Sequence, residues 1–161
     1  MSSVTIRKPV LNDAPFIVEC RRAAILGKGP SHYPKEMLQE WAAEWKPENL
    51  QRVHDGISEQ NWIYIIAEAE SQIIGFGIVH PKKNMLGAVY VRPNEYGKIG
   101  GIILSELYRL AQASGCTYLE MESSANAEKF YLDNGFKVIS RGVHKMKSGH
   151  EMDCVNMRID F

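Results

Sequence analysis

The stretch that decides the fold is residues 89–104, which have the sequence VYVRPNEYGKIGGIIL. It begins with the alternating β-branched and aromatic residues of a strand, which Pro93 ends. Glycines follow in the loop, and from Ile103 apolar residues recur at helical spacing until Gly115. The pattern predicts a strand, a glycine-bearing loop and a helix, in that order.

The loop exposes backbone N–H groups at a helix N-terminus, where unpaired donors and the helix dipole favour an anion. Two adjacent glycines, Gly100 and Gly101, cost up to ~1 kcal/mol each relative to alanine in a first helical turn. Close approach of a ligand explains that cost better than a plain turn does. A nucleoside triphosphate is excluded because Ile99 stands where a P-loop needs Ser or Thr after Gly97 and Lys98.

The flanking sequence predicts an α+β fold. The predicted elements are a strand at 4–7, helices at about 12–26, 34–45 and 47–57, strands at 62–67, 73–79 and 86–91, the helix that ends at 115, a strand at 117–122, a short helix at 126–134, and an antiparallel pair at 136–141 and 152–159. This order predicts a mixed, mostly antiparallel sheet flanked by helices. One crossover, over 86–122, makes two strands parallel.

Length and composition indicate one domain over residues 1–161, since 45% hydrophobic and 24% charged residues suffice for a core. Lys plus Arg and Asp plus Glu each total 19, so the net charge of +0 favours no nucleic-acid partner. No apolar run approaches the ~20 residues of a membrane span. Cys20, Cys116 and Cys154 lack metal-ligand or disulfide spacing, so we expect a cytoplasmic protein without a metal.

Two segments of the sequence resemble the GNAT acyltransferases, which transfer an acyl group from acyl-CoA to an amine. In that family an aromatic-Val-x-Pro strand leads into a pyrophosphate loop, commonly Arg/Gln-x-x-Gly-x-Gly/Ala. Residues 90–93 and 96–101 occupy those places, and residues 126–136, NAEKFYLDNGF, match a second family motif in full. The resemblance implies the GNAT fold, acetyl-CoA as acyl donor, and the following cofactor-binding residues: Val89, Tyr90, Val91, Tyr96, Gly97, Lys98, Ile99, Gly100, Gly101, Ile102 and Asn126.

The loop departs from the family pattern at two positions. Tyr96 replaces the usual Arg or Gln, and Ile99 replaces the first Gly. If position 99 needs a left-handed backbone, isoleucine adds strain of roughly 1–2 kcal/mol. Two functions therefore stay open: an acetyltransferase, and an acyl-CoA-binding regulatory module of the same fold with little turnover.

Tyr131 is the candidate general acid, since aminolysis of a thioester expels a thiolate that needs a proton, and a phenol with a pKa of ~10 stays protonated at neutral pH. Taken alone, Tyr131 would be a core aromatic residue beside Phe130 and Phe136. Its place in the second motif implies the catalytic role.

Glu122 is the candidate general base for the attacking amine, because it lies on the strand before the second motif. Glu120 shares its strand face by alternation. Glu36 and His32 are competing bases in the segment where the resemblance implies acceptor-binding helices.

The predicted function is direct transfer of an acetyl group from acetyl-CoA to a primary amine, on a small molecule or a peptide. Trp41 and Trp45, spaced i, i+4, indicate a packed helix face more than a ligand cage. Family habit and the alternating apolar residues of strand 152–159 predict a homodimer in which that strand extends a sheet or packs across two subunits.

Overall fold

A computed structural model describes residues 3–27, 33–95 and 98–161. Its strands are β1 (Thr5–Arg7), β2 (Ile63–Ala69), β3 (Gln72–His80), β4 (Met85–Val91), β5 (Tyr118–Ser124), β6 (Lys137–Lys145) and β7 (Glu151–Asp160). Its α-helices within the described ranges are α1 (Ala14–Leu26), α2 (Lys35–Ala42), α3 (Gln51–Ser58), α4 (Lys98–Ala113) and α5 (Glu128–Asp133).

The strands form one seven-stranded sheet in the order β1-β2-β3-β4-β5-β7-β6. Every neighbouring pair is antiparallel except β4 and β5, which are parallel and are joined by the α4 crossover. The predicted α+β fold, with a mostly antiparallel sheet and one parallel pair, is confirmed.

The hairpin between β2 and β3 turns at Glu70 and Ser71, whose φ angles are 51° and 63°. Two consecutive residues with positive φ suit the right-handed twist of a two-residue hairpin. Asn84, which precedes β4, also has a left-handed backbone, with φ of 51°.

Helices cover both faces of the sheet. On one face, α4 and α5 contribute Ile103, Leu107 and Tyr131 to the central core. Two glycines of β3 allow α4 to approach closely: a Cβ on Gly77 would lie 2.6 Å from Ile103 Cγ2 and 2.7 Å from Leu107 Cδ1. On the other face, α1, α2 and α3 cover the sheet with two smaller apolar clusters.

Strands β4 and β5 diverge almost from their first contact. Their register has a single pair, Met85 with Glu120, and the Glu120 N–H donates to Asn84 O at 2.8 Å. Both strands continue for several residues beyond that pair. The sheet therefore opens between them, on the side towards which Val91 and Ser124 lie.

The proposed dimer contact on strand 152–159 needs a correction. β7 lies between β5 and β6, so both of its backbone edges are already paired, and Val155 and Met157 are buried within the chain. It therefore cannot extend a second sheet. The free edges of the sheet are β1 and β6. None of the described helices is long and apolar enough to cross a membrane.

Candidate active site

The opening between β4 and β5 has two sides because side chains alternate along β4. Val89 and Val91 pack against the central core under α4, whereas Ala88 and Tyr90 face the clusters under α1 and α2. Of the cofactor-binding residues predicted on β4, the two valines thus face one side of the sheet and Tyr90 the other.

The first turn of α4 contains the remaining predicted residues of the anion site within the described ranges. Lys98 is exposed and Ile102 is 41% exposed. Among the described residues, a Cβ on Gly101 would meet only Asn134 Oδ1, at 3.8 Å. The backbone at Gly101 is therefore accessible to a ligand near the helix N-terminus. Tyr96 and Gly97 lie outside the described residues, as does the competing base His32.

Gly100 is required for packing, which was not predicted from the sequence. It is buried, and a Cβ there would lie 2.9 and 3.0 Å from Cε1 and Cζ of the Phe130 ring. Close packing of α5 on α4 therefore requires this glycine, and ligand approach is needed to explain only Gly101.

Ile99 carries no sign of the strain considered above. It lies in the first turn of α4 and packs against the central core. The described non-glycine residues with positive φ are Glu70, Ser71 and Asn84. Isoleucine thus fits an ordinary helical position here.

Tyr131 is almost fully buried on α5, on the α4 side of the sheet. Its ring packs edge-on against Phe130, at 5.0 Å between centroids, and Phe136, at 5.5 Å. Burial raises the pKa of its hydroxyl far above the ordinary value, and the nearby Tyr90 and Tyr108 raise it further. The phenol is therefore protonated at neutral pH, as a proton donor must be.

A cavity of about 580 Å³ lies on the opposite face of the sheet and extends to the opening between β4 and β5. Its floor includes Leu86, Ala88 and Tyr90 from β4, and Glu122, Ser123 and Ser124 come from β5. Trp41, Trp45 and Trp62 contribute aromatic walls. Both tryptophans of the 41/45 pair thus line the cavity, although α2 ends at Ala42 and Trp45 follows it.

Glu122 projects into this cavity beside a histidine. Its Oε1 lies 3.5 Å from His144 Nδ1, and His144 Nε2 lies 3.9 Å from Glu44 Oε2. All three side chains are between 39% and 51% exposed, so water reaches them. Glu120, on the same strand face, instead pairs with Arg158 at 3.1 Å, and Glu36 is exposed outside the cavity lining.

Arg21 forms the inner wall of the cavity with 4% of its side chain exposed. Its guanidinium carbon lies 4.8 Å from the Trp45 ring centroid and 5.6 Å from that of Tyr90. Burial lowers its pKa, whereas the charge of Glu44 raises it.

Arg21, Glu44 and His144 were not predicted from the sequence to belong to the site. A signal for Arg21 was present, because it occupies a core position in the helical repeat of α1, between Ile17 and Ala24. No local pattern marks Glu44 or His144, since the fold brings them together from a segment after α2 and from β6. Asn126 also acquires a local partner: Ser124 Oγ donates to its Oδ1 at 2.7 Å.

Residues 60–138 match the family model of the acetyltransferase (GNAT) domain. No curated protein matches the chain. Among solved structures, a GCN5-related N-acetyltransferase from Rhodopseudomonas palustris has a TM-score of 0.88 at 22% identity, over 100% of this chain and 98% of that one.

Two further structures have the same fold. The PaiA N-acetyltransferase from Thermoplasma acidophilum, in complex with coenzyme A, has a TM-score of 0.79 at 23% identity, over 99% of each chain. The putative acetyltransferase YncA from Salmonella typhimurium, with acetyl-CoA, has a TM-score of 0.72 at 19% identity, over 99% of this chain and 94% of that one. Residues 60–138 therefore belong to the GNAT acetyltransferase domain family, and the chain has the fold of GNAT acetyltransferases along its whole length.

Proposed function

We propose that this protein transfers an acetyl group from acetyl-CoA to a primary amine by direct attack of the amine on the thioester. The observation that carries the proposal is the opening between β4 and β5 beyond the Met85–Glu120 pair. It joins the accessible first turn of α4 and Tyr131, on one side of the sheet, to the cavity that contains Glu122 on the other.

The residues on the α4 side suit the donor. The accessible backbone at Gly101 lets a phosphate approach the first turn of α4, whose N–H groups lack helical partners. Lys98 is exposed beside it and adds a positive charge. Two of the similar structures contain coenzyme A or acetyl-CoA, which supports the same donor here.

The cavity suits an amine. Five of its lining residues carry carboxylates, namely Glu44, Asp55, Glu59, Glu122 and Asp153, against two guanidiniums, Arg21 and Arg52, and no lysine lines its described part. A protonated amine is therefore attracted to this cavity rather than repelled. Once bound, it must lose a proton before it attacks, and Glu122 at the opening is the base.

The chemical step uses the two sides separately. The amine nitrogen forms a bond to the acyl carbon as the C–S bond breaks. Glu122 passes the first nitrogen proton to water before the attack and takes the second as the N–C bond forms, and the departing thiolate takes a proton from Tyr131. Because burial keeps the pKa of Tyr131 high, the phenol is protonated when the thiolate leaves.

Release of free thiol from acetyl-CoA, measured against a panel of small amines, polyamines and peptide N-termini, tests the proposal. We expect turnover with at least one amine and a thermal shift with coenzyme A alone, since a ligand at a hundred times its Kd adds about 2.7 kcal/mol of stability. A thermal shift without turnover for any amine would instead assign the protein to the regulatory, acyl-CoA-binding class. A folded sample that gives neither turnover nor a thermal shift would reject both functions.

A further inference from the structure

Arg21 is a buried cation with too few partners. A guanidinium has five N–H donors. Here Nη1 donates to Ala42 O at 3.3 Å, Nη2 lies 3.9 Å from Glu44 Oε1, and Nε has no hydrogen-bond partner among the described residues. An under-satisfied charge in a buried position is costly, so its retention needs an explanation. The guanidinium lies over the Trp45 ring, 4.8 Å from its centroid, and beside Tyr90, whose ring centroid is 5.6 Å away.

The Tyr90 side chain packs among aromatic rings, beside two hydrogen-bond donors and near the carboxylate of Glu44. Its ring packs against Phe76, at 5.5 Å between centroids, and against Trp41, at 6.5 Å. The indole N–H of Trp41 and the guanidinium of Arg21 both donate and cannot accept. With these donors beside it, the Tyr90 oxygen is suited to accept a hydrogen bond. The nearby carboxylate of Glu44 lies 3.9 Å from Arg21 Nη2, and that pairing leaves the Tyr90 proton for a group in the cavity.

The electrostatics at Tyr90 agree with this geometry. Burial and the charge of Glu44 raise the pKa of its hydroxyl, whereas Arg21 and Trp41 oppose that rise. Arg21 thus stabilises negative charge on the Tyr90 oxygen, which makes the hydroxyl a better hydrogen-bond donor than its burial alone would allow.

We propose that the Tyr90 hydroxyl donates a hydrogen bond to the carbonyl oxygen of the acyl group during transfer, and that Arg21 is the positioning residue that holds Tyr90 for this role. The inference rests on the proposed acetyl transfer. Tyr90 is on the cavity face of β4, where the amine arrives, and Tyr131 is on the opposite face, where the thiolate leaves.

The two tyrosines then have separate tasks. As the N–C bond forms, the carbonyl oxygen gains negative charge, which Tyr90 stabilises without giving up its proton. As the C–S bond breaks, the electron pair on the oxygen re-forms the C=O double bond, and the C–S pair leaves with the sulfur, which receives a proton from Tyr131. The ammonium ion gives one proton to water through Glu122 before it attacks and a second proton to Glu122 as the N–C bond forms. Tyr131 regains its proton from solvent after the thiol leaves, so the products are the amide, the thiol and one released proton.

Tyr90→Phe keeps the packed ring and removes only the hydroxyl. Removal of one such donor typically costs about 10²–10³-fold in kcat, so we expect a loss of that order in thiol release with the best amine of the panel. Calorimetry should give an unchanged Kd for coenzyme A. Tyr118→Phe, on the outer part of β5 beneath Arg158, is the matched control and should keep wild-type kcat.

A double-mutant cycle tests the link to Arg21. Arg21→Met should lower kcat about tenfold or more in the wild-type background and less than twofold in the Tyr90→Phe background, because its effect passes through the Tyr90 hydroxyl. Arg21→Lys keeps the positive charge and is the second variant for the cycle if Arg21→Met does not fold. A loss in both backgrounds by the same factor would mean that Arg21 acts only on stability or on another group, and would overturn its assigned role.

An NMR titration tests the link between Arg21 and Tyr90 without any turnover. In protein labelled with ¹³C at tyrosine Cζ, the resonance that disappears in Tyr90→Phe should titrate at higher pH in Arg21→Met than in wild type. An unchanged titration would overturn the positioning role. Turnover of Tyr90→Phe within threefold of an active wild type would overturn this inference alone, whereas a wild type without thiol release for any amine would overturn the acetyl-transfer proposal with it.

Discussion

Tyr90 and Tyr131 approach the opening between β4 and β5 from opposite faces of the sheet, close enough that Tyr90 raises the pKa of Tyr131. One phenol borders the cavity and the other is buried beneath α4. In the transfer proposed above, an acyl group held between them would meet different chemistry on each side, which would separate the arriving amine from the departing thiol.

Tyr131→Phe should lower kcat by roughly 10²–10⁴-fold, the usual contribution of general acid catalysis, while the affinity for acetyl-CoA changes little. Since the pKa of Tyr131 lies far above that of a free tyrosine, the alkaline decline of the wild-type rate should not begin below pH ~10. Stopped-flow thiol release under conditions where chemistry limits the rate provides the measurement. A variant within threefold of wild type would make Tyr131 a packing residue.

Gly100 and Gly101 should respond differently to substitution. Gly101→Glu puts a side chain and a negative charge where we propose that a phosphate approaches α4. Among the described residues only Asn134 Oδ1 lies near, so the protein should fold and bind coenzyme A more weakly. Gly100→Ala should lower the free energy of unfolding by about 1 kcal/mol, because contact with Phe130 outweighs the gain in helix propensity. Calorimetry and urea unfolding separate the two effects. Unchanged affinity in a folded Gly101→Glu protein would mean that the phosphates bind elsewhere.

Asp13 should make stability dependent on acid pH. Arg7 donates to both of its carboxylate oxygens, at 2.9 and 3.1 Å, and the Val10 N–H donates at 2.8 Å; these bonds lower its pKa. Because the pKa of Asp13 is lower in the folded state, its ionised form stabilises the folded protein at pH values above the unfolded-state pKa of about 4. This contribution to stability disappears as the pH falls through the folded-state pKa.

Asp13→Asn should therefore cost about 1.5–3 kcal/mol at pH 7, and the difference from wild type should shrink towards pH 3. Urea unfolding at the two pH values measures it. Asp133→Asn, which removes the exposed pair with Lys129, is the control and should cost less than about 0.5 kcal/mol. A cost for Asp13→Asn that did not depend on pH would contradict the assignment.

Self-association stays a prediction. Because β7 is paired on both sides, we now expect the dimer contact on the edge strand β6 instead. All nine residues of this edge strand are exposed, including Ile139 at 54% and Val143 at 52%. An uncovered edge favours pairing with a second copy. Sedimentation at tens of micromolar should give a species of twice 18.2 kDa that Val143→Lys dissociates. A wild-type species of about 18 kDa would reject the dimer.

The fold could be predicted from sequence because each element has its own local signal. Apolar alternation, the prolines and the stop at Gly115 give the elements in order, and a strand, helix and strand in succession imply the parallel β4–β5 pair. The edges of the sheet could not be predicted. Nothing local states that β7 inserts between β5 and β6, since that depends on pairing between segments far apart in the chain.

The candidate site divides in the same way. Tyr131 and the start of α4 lie within contiguous motifs, so a sequence resemblance found them. Arg21, Glu44 and His144 come from α1, the segment after α2, and β6, and only folding brings them to one cavity. The packing of Gly100 against Phe130 could not be predicted, because a glycine in the sequence does not indicate which residue of a neighbouring helix will contact it.

The divergence of β4 from β5 leaves a seam of unused backbone groups inside an otherwise continuous sheet. Among the described residues, the ladder of β4 along this seam runs to β3 and that of β5 runs to β7, so a single ladder pair joins the two halves of the sheet directly. An extended ligand with amide groups would give the seam its missing donors and acceptors. Its binding would then couple the two halves mechanically, and amide protons of residues 86–91 would exchange with deuterium more slowly once coenzyme A is bound.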